Sequence, residues 1–240
     1  MAIKEGAGTP RWSHVGYVKS QSKAPGRTSL VERAPGPVIT ISRQAGAGAH
    51  TVAAELVSLL DARAPEGSRP WAVFDRNIVD RVIAEHNLPT DVARFMPEDR
   101  ITEIGDTLDT LFGLHPSAWS LVHKTADTVR HIASLGNIIL IGRAGNIVTG
   151  DLPYALHVRL IGSLERRIEY IKDYKHLDQQ AATELVHRED LGRKRYVKKY
   201  FGKDVDDPLL YHLVLNTDRV PFEVAARIIA DAVDERFALV

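Results

Sequence analysis

The chain has 240 residues, 44% of them hydrophobic, and its 31 basic and 31 acidic side chains give a formal net charge of zero. That size and apolar content suit one α/β domain with an insertion or a tail, and the balanced charge gives no whole-molecule field to attract a nucleic acid or an anionic membrane. The absence of cysteine excludes disulfides, thiolate catalysis and Cys-ligated zinc, and the longest apolar run, 138–141, falls far short of the ~20 residues that span a bilayer.

Residues 1–36 hold Gly, Pro, Ser, Lys and Arg with few apolar positions and no period. They read as a flexible basic leader; the alternative is a partner-binding arm that docks through Trp12 and Tyr17. With no signal-peptide core, a cytoplasmic protein is expected. Residues 38–42, Val-Ile-Thr-Ile-Ser, predict a strand buried on both faces. A Gly/Ala turn follows, and from Thr51 the apolar residues Val52, Ala53, Leu56, Val57 and Leu60 recur at helical spacing. This strand–loop–helix unit presents backbone N–H groups and a helix N-terminus to a phosphate. The P-loop signature G-x-x-x-x-G-K-[ST], laid on Gly48, nonetheless puts its first Gly on Arg43, its Lys on Ala49 and its Ser/Thr on His50.

A loop at 62–70 leads to a second strand, 71–74, which ends in Asp75-Arg76-Asn77. Asp75 or Asn77 can cap a helix through Val79, Val82 and Ile83. Two more helices are expected at 98–112 and 117–135, broken at Gly113-Leu114-His115-Pro116. Strand 137–141 ends in Gly142-Arg143-Ala144-Gly145-Asn146, and strand 156–161 leads to a helix over 164–174 that Ser163 caps. A helix over 178–192 precedes a charged segment, 188–207; the last strand is 213–215 and the closing helix 221–237, with Pro221 in its first turn. Strands alternating with helices predict a parallel sheet with right-handed crossovers. Ligands of such sheets sit beyond the C-terminal strand ends. Those ends carry 43–51, Asp75-Arg76, Gly142-Arg143 and Asn216-Thr217-Asp218, so the polar and glycine-rich residues converge on one edge.

Four pieces between about residues 37 and 235 resemble the cytidylate kinase-like family of P-loop nucleoside monophosphate kinases. The stretch 39–48, Ile-Thr-Ile-Ser-Arg-Gln-Ala-Gly-Ala-Gly, is similar to its opening I-T-I-S-R-(E/Q)-x-G-(S/A)-G, and Phe74-Asp75-Arg76-Asn77-Ile78 to its Y/F-D-R-x-I. The other two are 139–146 and the segment from Asp190-Leu191-Gly192-Arg193 through Tyr200-Phe201-Gly202-Lys203-Asp204 to Asn216-Thr217-Asp218-Arg219. The resemblance implies a P-loop α/β domain over 37–240 with a helical acceptor-side insert at 88–135 and an arginine lid at 188–207. It also implies ATP and Mg²⁺ as cofactors, nucleotides as the small-molecule partners, and γ-phosphoryl transfer to a nucleoside monophosphate, CMP or dCMP first. Two alternatives stand beside this: a catalytically weak nucleotide-binding regulatory protein, and a kinase of another small acceptor.

On this reading Gly46, Ala47, Gly48, Ala49 and His50 cradle the donor phosphates, and Thr51 brings a hydroxyl near Mg²⁺; otherwise the turn only lets helix and strand pack. Ala49 supplies no cation, so Arg43 or a lid arginine must do so, with His50 offering a hydrogen bond. Asp75 serves a Mg²⁺-bound water or the acceptor, or is a helix cap. Arg81 holds the acceptor phosphate or lies on the surface. Arg143 resembles the Arg of the family's G-R-D, and its planar guanidinium suits a phosphate; the Asp of that pattern is Ala144. Asp190 and Arg193, three apart on a helix, let the carboxylate hold the guanidinium at the transferring group, with Arg188 and Arg195 nearby. The alternatives there are a solvated, salt-bridged helix and, after it, a local nucleic-acid patch with Lys194, Lys198, Lys199 and Lys203. Asn216-Thr217-Asp218 shapes the loop beside the donor base, again by resemblance.

Overall fold

The computed structural model describes residues 36–75 and 118–237. The leader, the helices expected near 79–83 and 98–112, and Arg81 lie outside the described residues. Chain order is β1 (Val38–Arg43), α1 (Ala49–Arg63), β2 (Ala72–Phe74), α2 (Ala118–Ser134), β3 (Ile138–Ile141), α3 (Gly145–Val148), β4 (Ala155–Ile161), α4 (Leu164–Lys175), α5 (Gln179–Phe201), β5 (Leu213–Asn216) and α6 (Phe222–Phe237). A 3₁₀ turn at Pro208–Leu210 precedes β5.

The five strands form one parallel sheet in the order β2-β3-β1-β4-β5. β1 is central, with Ile39 opposite Ile139 of β3 and Leu156 of β4. Because the chain leaves β1 toward one side and later returns to the other, a crevice opens beyond the C-terminal end of β1. Side chains alternate across the sheet. Ile39 and Ile41, Ile139 and Ile141, and Leu156, Val158 and Leu160 join Val52, Leu56 and Leu60 of α1 and Ile229 and Val233 of α6 in one apolar core. Arg63, at the end of α1, ties the two helices together through Asp231 and Asp234.

The opposite face carries polar residues in register. Thr40 is opposite His157 and Ser42 opposite Arg159. The Thr40 hydroxyl hydrogen-bonds His157 Nδ1 at 2.9 Å, and Arg159 donates to Ser42 Oγ at 2.9 Å and to Asp206 at 2.5 Å. His157 also donates its backbone N–H to His212 Nδ1, and the two rings lie 4.9 Å apart. Burial, with His212 and then Arg236 adding to it, lowers the His157 pKa to about 4, so the ring is neutral in the fold.

The boundaries differ from expectation mainly in the lid region. Instead of a helix over 178–192 followed by a separate charged segment, α5 runs unbroken for 23 residues. Asp178 caps its start by accepting from the Ala181 N–H, and Gly202, at φ 67°, ends it. No proline or left-handed residue interrupts the span, and the ion pairs of Arg193 with Glu189 and Asp190 favour the helix instead of breaking it.

Candidate functional site

The loop after β1 is tied to the end of β4 and the turn beyond it. Gln44 donates its N–H to Leu160 O at 3.0 Å, and its side chain accepts from the Gly162 N–H at 2.9 Å. Gly46 and Gly48 adopt φ of 81° and 78°, the left-handed region that favours glycine. A Cβ on Gly46 would collide with the Arg167 carbonyl, and one on Gly48 with the Phe222 ring. Both positions therefore exclude side chains on two counts. α1 starts at Ala49 with no side-chain cap from Gly48, so its first-turn N–H groups and the positive end of its dipole face the loop's concavity.

That concavity is a cavity of about 430 Å³ lined by 43–50, Asp75, Tyr170, Tyr174, Glu189 and Arg193, among others. The structure thus brings together Arg43, Gly46, Ala47, Gly48, Ala49, His50, Asp75 and Arg193 from three separate stretches. His50 Nε2 lies 3.5 Å from Asp75 Oδ2. Asp190 does not line this cavity; it stands behind the loop, where its carboxylate accepts from the Ala45 N–H at 2.7 Å, from Arg167 at 2.6 Å and from Arg193 at 3.2 Å. Arg193 also pairs with Glu189.

Thr51 departs from expectation. Its hydroxyl is hydrogen-bonded to Tyr170 Oη at 2.7 Å, and the residue does not line the loop cavity. The reason is helical geometry: one position beyond His50 turns the side chain toward α4, where burial raises the Tyr170 pKa. Arg188 and Arg195 are exposed on α5 and likewise do not line the cavity.

Arg143 is only 2% exposed. It follows Gly142 in a turn of three left-handed residues, Gly142, Arg143 and Ala144, at φ 82°, 56° and 51°, and a side chain on Gly142 would collide with the Arg43 guanidinium. Such a backbone is costly for the two non-glycine residues and persists where its surroundings enforce it. Arg143 lines a separate cavity of about 30 Å³ with Thr40, Asn146, Arg43 and Arg193, room for about one water molecule. Arg43 and Arg193 line both cavities.

A third cavity, of about 480 Å³, shares Gly46 and Tyr170 with the loop cavity and extends between α4 and the β5–α6 turn, where Thr217, Asp218 and Phe222 line it. Asp218 shapes that turn by accepting from the Ser163 N–H at 2.8 Å and donating its own N–H to Asn216 Oδ1 at 2.9 Å. Sequence reasoning missed Arg167, Tyr170 and Glu189. The first left a readable signal: Arg167 and Ile171 are four apart on the buried face of α4, and a cation at a core position calls for a buried partner.

Comparison with known proteins adds the lineage. The family profile described as cytidylate kinase-like matches residues 38–219. A cytidylate kinase of Methanocaldococcus jannaschii is 28% identical over 165 residues, covering 65% of this chain and 89% of that protein. One from Methanothrix thermoacetophila is 28% identical over 183 residues, covering 76% and 89%. A solved structure of an uncharacterized protein from Eubacterium ventriosum superimposes with a TM-score of 0.61 at 17% identity, over 83% of this chain and 98% of that one, a likeness of fold. Among the described residues no helix is long and apolar enough to cross a membrane.

Proposed function

The chain belongs to the cytidylate kinase-like family, and on that premise we propose that it transfers the γ-phosphoryl group of ATP to a nucleoside monophosphate, CMP or dCMP before others. A phosphate oxygen of the acceptor bonds to the γ-phosphorus as the bond to the β-phosphate oxygen breaks, giving a nucleoside diphosphate and ADP. The observation that carries this reading is the 430 Å³ cavity, which loop residues, Arg43, Asp75 and Arg193 line together.

The N–H groups of the loop and of the first turn of α1 hold the donor phosphates, a role that needs no side chain and survives the replacement of lysine by Ala49. Arg43 and Arg193 supply the cations. Arg193, oriented by Asp190 and Glu189, stabilises charge on the transferring group. Mg²⁺ arriving with the triphosphate would neutralise further charge. The residues fit it: Asp75 stands on the cavity wall, and Mg²⁺ in nucleotide sites is held by one or two carboxylates with phosphate oxygens. Thr51, bonded to Tyr170, is not assigned to the metal. The donor base occupies the cavity beside Thr217 and Asp218, and Arg143 and Arg81 serve the acceptor phosphate. Residues 188–207 form the lid that brings Arg188 and Arg195 to the nucleotide, 88–135 the acceptor-side insert, and 1–36 a leader to the domain at 37–240.

The preference for CMP rests on the family and on the names of the relatives; Ala144, in place of the family's Asp, weighs against it. Ala49, buried at the lysine position, favours a second reading, a nucleotide-binding protein with little turnover. An ADP-release assay across a panel of nucleoside monophosphates, run beside ATP calorimetry, decides between them. Turnover highest on CMP or dCMP is expected; ATP binding without turnover on any acceptor establishes the second reading and overturns the first.

A further inference from the structure

We propose that Arg167 and Asp190 form an ion-paired clamp on the Ala45 peptide, and that this clamp holds the phosphate loop in its anion-binding shape where no loop lysine does so. The clamp is a closed ring of hydrogen bonds across three segments. The Ala45 N–H donates to Asp190 Oδ1 at 2.7 Å, Arg167 Nη1 donates to the Ala45 carbonyl at 3.0 Å, and the same Nη1 reaches Asp190 Oδ2 at 2.6 Å. Arg167 Nε donates to the Gly162 carbonyl at 3.0 Å, so one guanidinium ties α4, α5, the loop and the β4–α4 turn together. It is 7% exposed.

Both backbone polar groups of one residue, on the two peptide units that flank its Cα, are thereby fixed by charged partners. Charge-assisted bonds of this kind are shorter and about twice as strong as neutral ones. The consequence falls on the next residues. With Ala45 fixed, Gly46 lies against the α4 backbone at φ 81°, and the residues that follow it, Ala47, Gly48, Ala49 and His50, line the cavity. The ring also removes an electrostatic objection. An acidic side chain this close to a phosphate site would repel the ligand, but Asp190 is paired with both Arg167 and Arg193. Arg167 is thus a positioning residue, acting through the Ala45 peptide. A lysine replaces it only in part, because a single ammonium lacks the planar fork that meets a carboxylate and two carbonyls at once. The anion-holding half of the proposal rests on the phosphate-loop reading above.

Two measurements on the full chain test it. Hydrogen exchange of individual amides by NMR should show the Ala45 N–H exchanging at least about tenfold faster in Arg167→Met than in wild type, with Arg167→Lys between them and the Ile229 amide of α6 unchanged. Asp190→Asn keeps an acceptor for Ala45 but loses the charge, so it should fold like wild type and speed the Ala45 amide less than Arg167→Met does. An unchanged Ala45 rate in both Arg167→Met and Asp190→Asn overturns the clamp. Calorimetry with inorganic tripolyphosphate then reads the loop without base or acceptor. Affinity should fall at least about tenfold in Arg167→Met and be partly recovered in Arg167→Lys; wild-type affinity in both variants overturns the anion-holding role. Failure of wild type itself to bind tripolyphosphate overturns that role together with the phosphate-loop reading, while the exchange rates still decide the clamp.

Discussion

The two faces of the sheet are built from the same strands to different ends. In β1 the residues Ile39 and Ile41 point to the core under α1 and α6, while Thr40 and Ser42, one step along the same strand, join the polar network of His157 and Arg159. β4 divides in the same way, with Leu156, Val158 and Leu160 on one side and His157 and Arg159 on the other. A strand with period two can thus serve stability and site construction together without the two competing for positions. The apolar face is interchangeable hydrocarbon within its volume, whereas each polar residue opposite has a named partner.

The sharpest test of that division lies beyond the strand ends. Arg193→Ala should lower kcat by about a thousandfold or more while ATP affinity stays within about threefold, since a cation that acts on transition-state charge affects kcat rather than ground-state binding; single-turnover kinetics with calorimetry measure both, and a large loss of ATP affinity would contradict the role. On the apolar face, Leu56→Ala should cost about 4 kcal/mol of stability through lost burial and the cavity left behind, read by urea denaturation, with kcat per folded molecule within about twofold. A large change in kcat would mean that the two faces are coupled. Smallest is a pH effect on the polar face. His157 titrates near 4 in the fold and near 6.5 when unfolded, so its contribution is fully present above about pH 6.5 and is lost as the pH falls toward 4, by up to about 3 kcal/mol. Thermal melts across that window should show the decline, and His157→Asn should flatten it; an unchanged slope would place the titrating group elsewhere.

Much of the scaffold is legible in the sequence because its signals are local. Continuous β-branched runs mark β1 and β3, helical spacing of apolar residues marks α1, and Gly at turn positions marks the loop. The convergence of 43–50 with Asp75 follows from strand-end logic alone and is what the cavity displays. The partners of the site are a different matter. Thr51 and Tyr170 are 119 residues apart, and Ala45 and Asp190 are 145 apart; no periodicity links such positions. Thr51 was therefore readable, by resemblance, as a hydroxyl near Mg²⁺ but not as the partner of Tyr170, and Asp190 was readable as the holder of Arg193 but not of the loop. The continuity of α5 was missed for a related reason, since a run of charges looks the same whether it is a solvated segment or a helix with paired flanks.

The length of α5 has a mechanical meaning. At 23 residues it is a rod of about 34 Å, joined near its middle to the loop after β1 through Asp190, while the segment just past its end reaches the sheet through Asp206 and Arg159. Its first half also packs on α4, where Ala182 and Val186 share one apolar cluster with Ile168, Ile171 and Ala45, so a single continuous helix braces α4, the loop after β1 and the segment that follows it.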